Sequence, residues 1–92
     1  MHISFDQAKN DWNIRVRGLS FLAVTDFDFE NALYIVDDRR DYGELRYVAL
    51  GMLHGRLHVL CFVETGEGIR VISFRKANAR EVKRYEETQI ID

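Results

Sequence analysis

The stretch RVISFRKANAREVKRYEE, residues 70–87, concentrates the side chains with the clearest chemical capacity. It sets Arg70, Arg75, Lys76, Arg80, Lys83 and Arg84 against Glu81, Glu86 and Glu87. Residues 70–84 carry six basic groups and one acid, net +5, while the rest of the chain carries seven basic and fourteen acidic groups, net −7. The overall charge of −2 therefore conceals a basic cluster suited to a polyanion. Guanidinium groups stay charged and match phosphate oxygens in a two-pronged geometry. Two readings stand side by side: a phosphate site between a strand and a helix start, or a set of solvated charges. The spacing adds a constraint. Arg70 and Arg75 are five residues apart, so an ideal strand puts them on opposite faces about 16 Å apart, and they share a site only if the strand twists or bulges.

Other reactive side chains carry weaker signals. His2 is terminal, His54 falls in a turn and His58 stands alone in a strand, and no cysteine pairs with them as a metal site. Cys61 is the one cysteine and lies in an apolar run, which reads as a buried thiol and excludes an internal disulfide. Asp37, Asp38, Asp41 and Glu44 in VDDRRDYGE form a polar loop with its own counter-charges, Arg39 and Arg40. That reads as a solvated loop rather than a magnesium site. No phosphate-binding glycine loop, HExxH or nucleophile elbow is present, so no cofactor or metal is expected.

The elements that must position these residues follow from periodicity and turn signals. Ninety-two residues, 47% hydrophobic and 30% charged, with no proline and no linker, make one domain over residues 1–92 that reads as folded and soluble. Phe5, Ala8, Trp12 and Val16 recur at helical spacing, with Asp6 as N-cap and Gly18 just past the end. Ser20 caps a second, shorter helix whose Phe21, Val24 and Phe27 point one way. LYIVDD, ELRYVALGML, RLHVLCFVE and IRVISF then read as strands. His54-Gly55 and TGEG are connections too short for a parallel crossover, so the strands form an antiparallel meander. Asn78 and Glu81 make a capping-box pattern at the start of a last helix, whose inward face is Ala79, Val82 and Tyr85. The expected architecture is α+β, ααββββα, with a four-stranded antiparallel sheet. The N-terminus lacks the pattern of a signal peptide, and the apolar runs are too short to span a bilayer, so a cytoplasmic location is expected.

Several of these stretches, FDQAKNDWN, GLSF, DDRRDYGELRYVALG, GRLHVLCFVE and IRVISFRKANAREVKRYEE, resemble in order the BrnT-type toxins. The likeness runs roughly from Phe5 to Glu87 and is most specific from Arg70 to Tyr85. That family comprises small ribonucleases of type II toxin–antitoxin systems with a RelE-like fold. The resemblance implies cytoplasmic RNA cleavage without a metal. It also implies inhibition by a BrnA-type antitoxin carrying a ribbon-helix-helix domain, through which the complex binds operator DNA. The family's basic terminal motif maps onto Arg70, Ser73, Arg75, Lys76, Asn78, Glu81 and Tyr85, and its N-terminal motif onto Asp6, Lys9, Asn10 and Asn13. Where relatives commonly read N-x-x-K-H-G, this chain reads NIRVRG, with Val16 for the lysine and Arg17 for the histidine. Arginine binds phosphate but does not exchange a proton near neutral pH.

The expected mechanism is attack of the RNA's own 2′-OH on the adjacent phosphorus. Arg70 and Arg75 are the candidates for phosphoryl stabilisation, and Lys76 and Arg80 for flanking phosphates. Glu81 is either base or helix cap, and Tyr85 either assists the leaving oxygen, a role open also to Lys9, or packs in the core. Lys9, Arg15, Arg17, Arg80, Lys83 and Arg84 are the further candidates for RNA contact. The Arg17 substitution motivates a rival from another class: a degenerate toxin that binds antitoxin or RNA without cutting.

Overall fold

A computed structural model describes residues 1–89 of the chain. The order is strand β1 (His2–Phe5), helix α1 (Gln7–Arg17), a 3₁₀ helix (Phe21–Asp26), β2 (Leu33–Val36), β3 (Tyr47–Leu53), β4 (Arg56–Glu64), β5 (Gly68–Lys76) and helix α2 (Ala79–Thr88). The four expected strands form the antiparallel meander β2-β3-β4-β5. The sheet nevertheless has five strands, in the order β1-β5-β4-β3-β2, and β1 joins it parallel to β5. This overturns the four-stranded, purely antiparallel ααββββα expectation, although the α+β class stands. The cause is range. Four residues show too little alternation to reveal a strand, and their pairing partners, Gly68 to Val71, lie more than sixty positions away. Phe5, expected on the helix, instead ends β1 and packs edge-on against Phe21 with ring centroids 5.7 Å apart.

Local signals hold at most boundaries. Asp6 caps α1 by accepting from the Lys9 N–H, and Gly18 ends it in the left-handed conformation that only glycine adopts without strain. Ser20 caps the second helix, which is 3₁₀ rather than α; the three-residue spacing of Phe21, Val24 and Phe27 suits that tighter winding. Phe21, Val24 and Phe27 are all buried, in one cluster with Leu60, Val71 and Phe74 on one face of the sheet. Leu50, Leu57, Val59 and Ala77 form a second cluster on the other face, against which Val82 and Tyr85 of α2 pack.

Helix α1 reverses its expected orientation. Its buried residues are Asn10 and Asn13, while Trp12 and Val16 are 44% and 57% exposed. Ala8 is exposed as well. Hydrogen bonding explains the reversal. Asn10 Oδ1 accepts the Phe21 N–H at 2.8 Å, and Asn13 Nδ2 donates to the Leu19 and Phe74 carbonyls at 2.9 and 2.8 Å. These bonds satisfy backbone groups that would otherwise be buried unpaired, each at a cost of about 1–3 kcal/mol. The helix therefore docks through polar clamps, and its apolar side chains face outward.

Candidate functional site: a charged cleft on the α2 face of the sheet

Strand β5 carries the bulge that the arginine spacing requires. Cys61 of β4 lies opposite Ser73 while Phe62 lies opposite Val71, so Ile72 is an extra residue with no partner. Arg70 and Arg75 are then opposite Val63 and Val59, four apart on β4. An even separation puts both arginines, with Ser73 between them, on the α2 face of the sheet. Four strand positions still span about 13 Å, so the two arginines lie on one face but leave it from well-separated points.

The cleft, about 400 Å³, includes among its lining residues Asp37, Arg39, Cys61, Ser73, Arg75 and Glu81. The Arg75 guanidinium donates to both Glu81 oxygens at 2.8 and 2.9 Å. Glu81 Oε1 also accepts the Asn78 N–H at 2.9 Å, and Asn78 Oδ1 accepts the Glu81 N–H at 2.9 Å, completing the capping box. Glu81 thus performs the capping role and an ion pair together. Arg75 above all, with the Asn78 N–H, holds the Glu81 carboxyl below the usual carboxylate range although burial opposes this. It is an ionised, weakly basic group.

The loop between β2 and β3 closes the other side of the cleft and is not a simple solvated loop. Asp37 continues the inward alternation of β2 and is buried, bound two-pronged by Arg39 at 2.8 Å for each bond. That arginine lowers its pKa to about 2. Glu44 accepts from Arg70 at 2.7 and 2.8 Å, and Arg70, with Arg46 adding less, keeps its carboxyl low. The Arg39 counter-charge on Asp37 was legible in the sequence; sequence reasoning missed the burial of Asp37 and the pairing of Glu44 with Arg70. The alternation of Leu33, Ile35 and Asp37 was the available signal for the first; nothing local points Glu44 at a strand 26 positions on. Among the described residues no three His, Cys, Asp or Glu side chains come together as metal ligands.

The remaining candidates divide by location. Lys9 and Arg17 line a hollow between α1 and β5 that shares Ser73 with the cleft. Arg17, Arg75 and Lys76 line a smaller one next to it. These hollows follow the edge of β5 that β1 leaves uncovered, because the parallel pairing stops at Val71. Arg17 is committed there: it donates to Asn13 Oδ1 at 3.1 Å and to the Phe74 carbonyl at 3.4 Å. Arg15, Arg80 and Arg84 are exposed and line none of these cavities. Lys83 and Tyr85 border a separate groove under α2, and the Tyr85 hydroxyl donates to the Asn31 carbonyl at 3.4 Å. The structure therefore does not bring Tyr85 to the cleft. Ala79, expected to face inward with it, is exposed. His58 packs against Phe74 on the opposite sheet face, with its pKa lowered mainly by burial, and Cys61 is a buried thiol whose pKa burial raises.

A small α+β domain with a cleft of paired arginines and carboxylates between sheet and C-terminal helix is the class that fold and site define. The family described as "Ribonuclease toxin, BrnT, of type II toxin-antitoxin system" matches residues 5–81, and the chain belongs to it. The match includes Arg70, Ser73, Arg75 and Glu81 and ends before Lys83, Arg84 and Tyr85. No curated protein matches the chain. No helix among the described residues is long and apolar enough to cross a membrane.

Proposed function

We propose that this BrnT-family toxin is a metal-independent endoribonuclease whose reaction centre is the Arg75 cleft. The observation that carries the reading is the bulge at Ile72, which gathers Arg70, Ser73 and Arg75 on one face beside Glu81. In the reaction the 2′-OH of the RNA attacks the adjacent phosphorus, and the 5′-oxygen of the next nucleotide leaves. Arg75 stabilises the charge that builds on the phosphoryl oxygens. Arg70 holds a neighbouring phosphate, and Lys76, with Arg80 outside the cleft, draws in the flanking backbone. Glu81 receives the 2′-OH proton. Its low proton affinity makes it a modest base, so most of the acceleration comes from charge stabilisation and alignment. Lys9, across Ser73, is the available donor to the leaving oxygen.

Growth arrest by this activity in the cytoplasm, and its neutralisation by a BrnA-type antitoxin with a ribbon-helix-helix domain, complete the reading. The hetero-oligomer would bind operator DNA through the antitoxin. The test is cleavage by the antitoxin-free protein in excess EDTA. Persistent cleavage, cyclic phosphate and 5′-OH ends, and resistance of 2′-O-methyl substrates are the expected results. Loss of activity in EDTA with recovery in Mg²⁺ would reject the mechanism.

One observation favours a second reading, a binding module without catalysis. Arg17 stands where relatives commonly carry histidine, and it is engaged with Asn13 and Phe74. No cleavage under any condition, with antitoxin binding intact, would select this reading.

A further inference from the structure

The hollow between α1 and β5 has a composition that neither the fold nor the cleft explains. It has a volume of about 360 Å³, with Ala8, Trp12 and Ile72 as apolar walls and Lys9 and Arg17 as cations. Trp12 is the only tryptophan in the chain and is 44% exposed, although α1 already docks through Asn10 and Asn13. Its indole is also braced. The Arg17 guanidinium carbon lies 5.0 Å from the ring centroid, and Arg17 is itself tied to Asn13 and the Phe74 carbonyl. The hollow adjoins the candidate reaction centre through shared lining residues. Ser73 lines both, and Arg17, Arg75 and Lys76 line the smaller hollow around the free edge of β5.

We infer that this hollow is a subsite for an unpaired nucleobase of single-stranded RNA, next to the phosphate held by Arg75; the inference rests on the ribonuclease reading above. An oriented indole offers a flat π face on which any base stacks, and the adjacent Lys9 and Arg17 suit the phosphate that accompanies that base. The two cations favour a polyanion over an apolar peptide segment as occupant. A base held in a duplex cannot enter without unpairing, so the subsite selects loops and single strands. Trp12 is a positioning and specificity residue in this arrangement and takes no part in proton transfer.

The single tryptophan supplies the readout. Non-cleavable 2′-O-methyl oligonucleotides, titrated into the antitoxin-free protein, should quench Trp12 fluorescence. Oligonucleotides of the same length carrying abasic residues should bind on the order of tenfold more weakly and leave the fluorescence unquenched. Trp12→Ala should lose a similar factor with an unchanged salt dependence, and Trp12→Phe should regain most of it. The abasic comparison uses the unaltered protein, so it decides the matter even if Trp12→Ala does not fold. Equal affinity for base-bearing and abasic strands, or quenching by a bound antitoxin but by no oligonucleotide, would overturn the subsite. If RNA is still cleaved in that case, only the subsite fails. If RNA is neither bound nor cleaved, the ribonuclease reading fails with it.

Discussion

Arg75 and Glu81 are joined by two parallel hydrogen bonds, and the same carboxylate closes the capping box of α2. One side chain therefore couples the end of β5 to the start of the last helix. The pair also sets the charge of the cleft, because Arg75 meets a phosphate only by sharing or displacing its internal partner. Arg70 is under the same restraint from Glu44. The basic cluster of residues 70–84 is thus less free as a polyanion site than its formal charge suggests.

Replacing Arg75 separates catalysis from stability. Arg75→Ala should remove about 2–4 kcal/mol of transition-state stabilisation, seen as a fall in kcat/KM. Urea unfolding should change by no more than about 1 kcal/mol, since the arginine side chain is 37% exposed and Glu81 keeps its cap. Glu81→Gln should tighten RNA binding by freeing Arg75 while slowing cleavage by removing the base. Equal cleavage rates in the unaltered and Glu81→Gln proteins would remove the base role from Glu81.

Salt dependence measures how many cations engage. Lys9, Arg17, Arg75 and Lys76 line the two adjoining hollows. With Arg70 and Arg80 on the flanking backbone, six phosphate contacts to a single strand give a slope of about −4 in log K against log salt. A slope near zero would remove the basic track from RNA binding. Glu44→Gln removes the internal partner of Arg70 and should tighten RNA binding.

Acid should destabilise the fold through the paired carboxylates. Arg39 holds Asp37 at about 2 in the folded state, below its ordinary value of 3.8. A depressed folded pKa means the stabilisation is fully present above the unfolded value and is lost as pH falls through the folded one. Glu44 and Glu81 act in the same direction. Denaturation midpoints should begin to fall below about pH 6.5, where burial keeps His58 from taking up the proton that the unfolded chain accepts. They should fall further between about 4 and 2 as the paired carboxylates protonate. Asp37→Asn should flatten the lower part of that fall; an unchanged slope would show that the pair does not form in solution.

Gly51 tests the packing of the opposite face. A Cβ placed there would lie 2.5 Å from the Phe27 ring, and Phe27 is buried in the main cluster. Gly51→Ala should therefore destabilise by about 1–3 kcal/mol through overpacking. Because the cleft is on the other side of the sheet, RNA affinity of the folded protein should be unchanged. Thermal or urea unfolding beside a binding titration checks both.

The sequence by itself determined the features governed by near neighbours. The caps at Asp6, Ser20 and Asn78, the turn at His54-Gly55, four of the strands and the basic cluster are all readable because each depends on residues within a turn or a strand length. Only the tertiary structure decided the parallel place of β1, the inward turn of Asn10 and Asn13, and the pairing of Glu44 with Arg70. Each of these joins positions separated along the chain, where apolar periodicity carries no information about the partner. Periodicity also assumes that apolar residues turn inward. In α1 that assumption fails, because satisfying the buried Phe21 N–H and Phe74 carbonyl outweighs burying Trp12 and Val16. The bulge is the intermediate case. The five-residue spacing of Arg70 and Arg75 demanded one if both were to serve a single face, but only the register between β4 and β5 located it at Ile72.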